Sequence, residues 1–129
     1  MPLVLDTTVL IDALRGRPAA DRIRNLLAAG ELIVTTAVNV EEVVRGLRDV
    51  ERGAADALFT GLGVLPIRRR EAERAGRWRR DHAGRGITLH QADCLIAAAA
   101  VGAAARLATA NMKDFPMSEL TVEEWPVGL

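Results

Sequence analysis

The sequence is poor in the residues that form disulfides and zinc sites, with a single cysteine, Cys94, and two histidines. One cysteine cannot form a disulfide within the chain, and so few thiol and imidazole groups argue against a zinc site. Tyrosine is absent, and the aromatic residues are two tryptophans and two phenylalanines. Proteins that bind single-stranded nucleic acid by base stacking need several exposed aromatic side chains, so that class is disfavoured.

The sequence also lacks an excess of charge and a long apolar segment. Its 17 basic and 17 acidic residues cancel, which excludes nucleic-acid binding through bulk positive charge but allows a local basic face. The longest apolar run, Cys94 to Ala105, is well short of the ~20 residues that cross a bilayer. The N-terminus has no basic region and carries Asp6 and Asp12, unlike a signal peptide. We therefore expect a cytoplasmic protein that makes no contact with membranes.

Half of the residues are hydrophobic, and the length fits one domain covering residues 1–129. β-rich runs alternate with stretches of helical periodicity along the chain. The predicted strands cover 3–5, 32–35, 64–67, 105–109 and 120–122, and the predicted helices cover 9–14, 20–29, 39–48, 51–62, 69–82 and 88–102. This alternation predicts an α/β fold, a three-layer α/β/α sandwich with a mostly parallel central sheet.

Two of the predicted helix starts have the spacing of a capping box, in which a polar N-cap residue is followed three positions later by an acid or amide. Asn39 stands three residues before Glu42, and Thr88 stands three residues before Gln91. We therefore expect the helices over 39–48 and 88–102 to begin at Asn39 and Thr88.

Four carboxylates are predicted to meet at one edge of the sheet. Asp6 follows the first strand, Glu42 and Asp93 lie near the starts of two helices, and Asp114 follows the 105–109 strand. In a parallel α/β sheet, these positions lie at the carboxyl-terminal edge, where ligands bind. Clustered carboxylates repel one another unless a cation lies among them, and oxygen ligands favour Mg²⁺ or Mn²⁺. Such ions can orient a phosphodiester and activate a water.

Each of these acids also has a purely structural explanation. Asp6 is placed to cap the helix that follows it, and Glu42 is accounted for by the capping box. Asp93 is placed to interact with a helix dipole, and Asp114 to form an Asx-turn. Asp12 is assigned to a helix face and not to the site. The common edge predicted for four acids is the stronger argument for a functional role.

The four acids lie within short segments that follow one another along the chain. These segments are VLDTTVLID at 4–12, EVVRGL at 42–47, QADCLIAA at 91–98 and TANMKDF at 109–115. In this order and at this spacing, they resemble the motifs of PIN-domain ribonucleases, most closely the VapC-type toxins of bacterial toxin–antitoxin pairs. The resemblance extends over both ends and the middle of the chain.

This resemblance implies a Mg²⁺-dependent endoribonuclease, in which Mn²⁺ can substitute, and an antitoxin that occupies the active-site groove. Asp6, Glu42 and Asp93 match the family's acidic triad. Asp6 and Asp93 are expected to bind the metal directly, with Glu42 and Asp114 acting through water or at a second ion. A homodimer is also expected, for which apolar positions of the helices at 20–29 and 39–48 are candidate surface.

Two further positions are carried over as supporting residues. Thr8 is expected to support a metal-bound water. Some family members have an acid where this chain has Asn111, so the fourth position of the site is open between Asn111 and Asp114.

The segment 68–85 contains eight arginines against Glu71, Glu73 and Asp81, a local excess of five positive charges. A solvated helix is the usual explanation for such a mixture, and an antitoxin-facing surface is another. An RNA-backbone contact is a third explanation. Its candidates are Arg69, Arg70, Arg77 and Arg80.

Two other functions are considered. A Mg²⁺-dependent phosphatase would explain the opening strand and aspartate. Such enzymes use a second aspartate two residues on, where this chain has Thr8, and a lysine near a later strand, whereas Lys113 is the single lysine. The other alternative is a PIN-fold binding module without catalytic activity.

Overall fold

The computed structural model of the protein describes residues 1–128. Its strands are β1 (Leu3–Leu5), β2 (Ile33–Thr36), β3 (Gly63–Leu65), β4 (Arg106–Thr109) and β5 (Val122–Glu124). Its helices are α1 (Thr7–Leu14), α2 (Pro18–Ala28), α3 (Ala37–Gly46), α4 (Arg52–Thr60), α5 (Arg69–Ala83) and α6 (Gln91–Gly102). Short 3₁₀ turns cover Asp49–Glu51 and Met112–Asp114. In residues 1–128, no helix is both long and apolar enough to cross a membrane.

The five strands form one sheet in the order β3-β2-β1-β4-β5, and every pairing in it is parallel. The central strand β1 pairs with β2 through Leu3 opposite Ile33, and with β4 through Leu5 opposite Ala108. Because all strands run in the same direction, their carboxyl ends share one edge. The prediction of a mostly parallel α/β fold is confirmed.

Two apolar cores cover the two faces of the sheet. Alternate side chains of β1 point to opposite faces, so Val4 packs with α5 and α6 residues while Leu3 and Leu5 pack with residues of α1 and α2. The first core includes Trp78 and the buried face of α6, and the second includes Trp125. Helices therefore lie on both sides of the sheet, which gives the three layers expected from the sequence.

The two predicted capping boxes are wrong. Helix α3 begins at Ala37, because the hydroxyl of Thr36, the last residue of β2, accepts the backbone N–H of Asn39 and caps the helix. Asn39 is therefore a buried residue within the first turn of α3. Helix α6 begins at Gln91, and His90 at its N-cap position makes no side-chain capping bond. The last strand also lies later than predicted, at Val122–Glu124.

Asp12 has the structural role expected for it. Its side chain is buried, and its two carboxylate oxygens accept the backbone N–H groups of Ala19 at 3.0 Å and Gly128 at 2.8 Å. The first bond holds the start of α2 against α1, and the second holds the C-terminal segment. Asp12 therefore joins three segments on the α1–α2 side of the sheet.

Candidate active site

The four predicted acids all lie at the carboxyl-terminal edge of the sheet. Asp6 directly follows β1 and is the N-cap residue of α1, Glu42 lies in the second turn of α3, and Asp93 lies in the first turn of α6. Asp114 ends the 3₁₀ turn that follows β4. Asp6 is 6% exposed, and the other three side chains are half-buried. Asp6, Glu42 and Asp114 lie at this edge because they follow parallel strands, whereas Asp93 lies there because α6 begins at this edge and ends at the start of β4.

Asp6 is held at both carboxylate oxygens, by the last residue of β4 and by a residue in the first turn of α3. Thr109 Oγ1 donates a hydrogen bond of 2.7 Å to Oδ2, and Asn39 Nδ2 donates one of 3.2 Å to Oδ1. Its side chain makes no capping bond to α1, although Asp6 occupies the N-cap position. Burial raises the pKa of Asp6, the charge of Glu42 adds to this, and the two hydrogen bonds oppose it. The side-chain hydrogen bonds of Asp6 thus connect it to β4 and α3.

Glu42 is connected to the same network through Thr7. Thr7 Oγ1 donates a hydrogen bond of 2.6 Å to Glu42 Oε1 and accepts one of 3.0 Å from Asn39 Nδ2. Glu42 does not act in a capping box, because Thr36 caps α3. The capping role that the sequence suggests for Glu42 is therefore excluded. Its hydrogen bond instead connects it to the network around Asp6.

Asp93 is influenced by the charge of the other three acids. Its pKa is raised to about 6, first by burial and then by the negative charges of Asp114, Asp6 and Glu42, while His90 opposes the shift. A favourable contact with the dipole of α6 would favour the ionised form, so burial and repulsion outweigh it here. Of the three other carboxylates, Asp114 raises the pKa of Asp93 the most.

Thr8 and Asn111 make backbone contacts at the same edge. Thr8 Oγ1 accepts the N–H of Ala110 at 3.2 Å, and the N–H of Asn111 donates to Thr109 Oγ1 at 3.1 Å. The side chain of Asn111 is exposed, whereas Asp114 is half-buried beside Asp93. Thr8 and Thr109 therefore fix the turn that carries both candidates for the fourth position.

A cleft of about 390 Å³ opens beside Asp93 and Asp114. Its positively charged lining consists of Arg85 and Lys113, and His82 and His90 also contribute to it. His82 is buried, and its Nδ1 lies 2.9 Å from the carbonyl oxygen of Trp78. The cleft thus places cationic and hydrogen-bonding groups next to two of the carboxylates, as binding of a phosphodiester requires.

The arginines predicted to bind RNA, Arg69, Arg70, Arg77 and Arg80, all lie on α5. Arg70 and Arg77 line a different cleft with Gly102, the last residue of α6. Gly102 lies about 13 Å further along α6 than Asp93, at 1.5 Å per residue. Arg69 pairs with Glu73 at 2.6 Å on the solvent-facing side of α5. Arg69 and Arg70 therefore lie towards the end of α6 remote from the acids, whereas Arg77 lies near the middle of α5, where the same cleft includes Ala98.

The donor set is suited to a hard divalent cation, since the edge presents carboxylate, hydroxyl and amide oxygens. In residues 1–128, no three His, Cys, Asp or Glu side chains converge closely enough to hold an ion among them. Mg²⁺ keeps several of its waters and is commonly held by one or two carboxylates together with substrate phosphate, so a three-residue cage is not required. Asp6 and Asp93 are the acids whose raised pKa indicates unfavourable negative charge that a cation would relieve.

Thr7, Asn39 and Thr109 were not identified as site residues from the sequence. Asn39 was assigned to a capping box, and Thr7 and Thr109 lay in recognised segments without an assigned role. Their signal was a polar side chain next to each predicted acid at a strand end. In the structure, these three residues supply the side-chain hydrogen bonds of Asp6 and Glu42.

The fold is that of a known class of protein. The PIN domain family matches residues 3–116 of this chain. Ribonuclease VapC19 of Mycobacterium tuberculosis is 35% identical over 119 residues, which cover 88% of this chain and 92% of that relative. The chain therefore belongs to the PIN domain family, among the relatives named VapC ribonucleases.

Solved structures support the same fold. VapBC2 from Rickettsia felis, bound to a DNA fragment from its promoter, contains a chain with a TM-score of 0.85 and 22% identity, covering 98% of this chain and 100% of that one. VapBC-1 from nontypeable Haemophilus influenzae gives a TM-score of 0.81 and 25% identity, with 97% and 98% covered. The three-layer parallel architecture is thus shared over nearly the whole chain.

Proposed function

We propose that this protein is a Mg²⁺-dependent endoribonuclease and the toxin of a toxin–antitoxin pair. The observation that carries the proposal is the set of four carboxylates at one sheet edge, where burial, with added repulsion from the other three acids, raises the pKa of Asp93 to about 6. A relative of 35% identity is named a ribonuclease, and it matches almost the whole chain. Mn²⁺ is expected to substitute for Mg²⁺.

In the proposed reaction, Asp6 and Asp93 would hold the cation, and Glu42 and Asp114 would complete the negative cluster. When bound, the cation would supply charge neutralisation of the phosphodiester and activation of a water for attack on phosphorus. Thr109 and Asn39 hold both oxygens of Asp6, so its carboxylate is fixed in position. Because the 3′ oxygen is the leaving group, hydrolysis gives one product with a 5′-phosphate and one with a 3′-hydroxyl. No covalent intermediate with the protein is needed.

The proposed partners are an RNA substrate, an antitoxin in the active-site groove and a second copy of this chain. Support for the antitoxin comes from the fold shared with structures of VapBC complexes. For the homodimer, Leu27 of α2 and Val44 of α3 are 43% and 54% exposed, so each of the two candidate helices has an apolar side chain available for contact. Which RNA is cleaved depends on groove contacts that only a substrate screen identifies.

The test uses the purified full-length chain and a mixed RNA substrate. Cleavage is expected with Mg²⁺ or Mn²⁺, none in EDTA, and recovery when Mg²⁺ is restored, with 5′-phosphate and 3′-hydroxyl ends on the products. Asp93→Asn should abolish cleavage, whereas Asp56→Asn, which changes an exposed acid of α4, should not. Full cleavage in EDTA contradicts the proposal. A folded protein that cleaves nothing with either metal instead supports a binding module without catalytic activity.

A further inference from the structure

Asn39 occupies the centre of a hydrogen-bonded chain that connects two of the acids. Its side chain is fully buried and has no exposed surface. Its Nδ2 lies 3.2 Å from Asp6 Oδ1 and 3.0 Å from Thr7 Oγ1. Thr7 Oγ1 in turn lies 2.6 Å from Glu42 Oε1. One amide nitrogen therefore links Asp6 directly, and Glu42 through a single hydroxyl.

The direction of each hydrogen bond in this chain follows from the groups that form it. Thr36 Oγ1 accepts the backbone N–H of Asn39 at 3.3 Å, so its own proton is donated to Asn39 Oδ1 at 2.7 Å. This fixes the amide with its oxygen towards Thr36 and leaves both Nδ2 protons for Asp6 and Thr7. Because Thr7 Oγ1 accepts one of them, its single proton is donated to Glu42. The chain thus ends on a carboxylate in both directions, at Asp6 directly and at Glu42 through Thr7.

We propose that Asn39 and Thr7 are positioning residues that hold Asp6 and Glu42 in one fixed relative geometry for cation binding. This inference rests on the proposed function. The two acids belong to separate elements, one after β1 and the other on α3, and they repel each other. The hydrogen bonds from Asn39 to Asp6 and from Thr7 to Glu42 oppose that repulsion and keep both carboxylates at the same edge. The partners that orient metal ligands typically contribute about 10–100-fold to metal affinity or activity.

The variants isolate the hydroxyl of Thr7, because Thr7→Val removes it with little change in shape and Thr7→Ser retains it. The matched control is Thr60→Val, which removes the exposed hydroxyl that donates to the backbone oxygen of Asp56 on α4. Asn39→Ala removes the centre of the chain, and its control is Asn25→Ala at an exposed position of α2. Each protein is measured for thermal unfolding, Mn²⁺ affinity without RNA, RNA affinity, and single-turnover cleavage at saturating Mg²⁺.

Thr7→Val should lower both the cleavage rate and the Mn²⁺ affinity by about 10–100-fold, with RNA affinity nearly unchanged. Thr7→Ser should restore both, and Thr60→Val should match the wild type. The double variant Thr7→Val/Asn39→Ala should have a cleavage rate and Mn²⁺ affinity only slightly lower than those of Asn39→Ala alone, because the connection from Asn39 to Glu42 passes through one hydroxyl. If Asn39→Ala does not fold, the Thr7 variants still decide.

Two results overturn the inference. One is Thr7→Val with the cleavage rate and Mn²⁺ affinity of the wild type, and the other is Thr7→Ser impaired as strongly as Thr7→Val, which would indicate a packing role for the methyl group. A wild type that binds Mn²⁺ but cleaves no RNA contradicts the proposed function alone. The Mn²⁺ affinities of the variants then decide whether Asn39 and Thr7 position the acids.

Discussion

The hydroxyl of Thr109 donates a hydrogen bond of 2.7 Å to the carboxylate of Asp6, although 103 residues separate the two in the sequence. Thr109 is the last residue of β4, and Asp6 directly follows β1, so the bond continues the parallel pairing of Leu5 with Ala108. The same hydroxyl accepts the N–H of Asn111 at 3.1 Å. It therefore holds the central acid and also fixes the start of the turn that carries Asp114.

Replacing Thr109 with valine should destabilise the protein and slow cleavage. Thr109→Val keeps the shape of the side chain but leaves Oδ2 of the buried Asp6 without its donor, which costs about 1–3 kcal/mol of unfolding free energy. Urea unfolding and single-turnover cleavage measure the two effects. The control is Thr121→Val, at an exposed position beside β5. Equal stability of the two variants would show that the Thr109 hydroxyl is not needed to hold Asp6.

The convergence of the four acids could be predicted from the sequence because it depends on topology alone. Short β-rich runs ending in polar residues, separated by helices, require parallel strands, and parallel strands place their following residues at one edge. The role of Asn39 could not be predicted in this way. Its spacing to Glu42 matched a local capping pattern, while the actual cap, Thr36, was hidden because it is also the last residue of β2.

For a related reason, the position of the arginines relative to the acids could not be predicted from composition. A high local charge indicates a basic surface but not the end of the helix that faces the acids. Helices α5 and α6 follow one another without a strand between them and pack together, so α5 runs antiparallel to α6. The start of α5, with Arg70, therefore lies beside Gly102 at the end of α6 and away from Asp93.

Charge removal within the acid-lined cleft should weaken RNA binding more than charge removal at the start of α5. Arg85→Gln/Lys113→Gln should reduce the slope of log Kd against log salt concentration by about 1–2, because each cation that contacts a phosphate contributes somewhat less than one. The matched variant Arg69→Gln/Arg70→Gln removes the same charge at the far end of α6. Salt titrations of RNA binding by both variants check this. A larger loss in the second variant would instead favour the arginines predicted from the sequence.

Asp12 should be required for stability and not for chemistry. Asp12→Ala leaves the buried N–H of Ala19 and the half-buried N–H of Gly128 without their acceptor, which should lower the unfolding free energy by about 1–3 kcal/mol. At a temperature where the variant remains folded, its cleavage rate and Mn²⁺ affinity should equal those of the wild type. Asp6→Asn provides the contrast, since it should lose cleavage. A loss of Mn²⁺ affinity in folded Asp12→Ala would contradict a purely structural role.

Asp93 should make the metal-free protein less stable as the pH rises. Its pKa is about 6 in the folded protein against 3.8 for the unperturbed group, so the folded state binds this proton more tightly than the unfolded state. The contribution of Asp93 to stability is therefore greatest below about pH 4, decreases as the pH rises towards 6, and stays low above it. Asp93→Asn removes this dependence. Allowing for solvent screening of a half-exposed carboxyl, the variant should be more stable than the wild type by about 1 kcal/mol at pH 8.

Asp93→Asn also distinguishes a metal-binding role of Asp93 from a purely structural one. With Mg²⁺ present, the wild type should gain stability and Asp93→Asn should gain little, because the cation binds where the charge was removed. Cleavage by the variant should fall by orders of magnitude although its metal-free stability is higher. Unfolding of both proteins from pH 4 to 8, with and without Mg²⁺, is measured alongside single-turnover cleavage. A variant that is destabilised at pH 8 yet cleaves at the wild-type rate would make Asp93 a helix-dipole residue and remove it from the metal site.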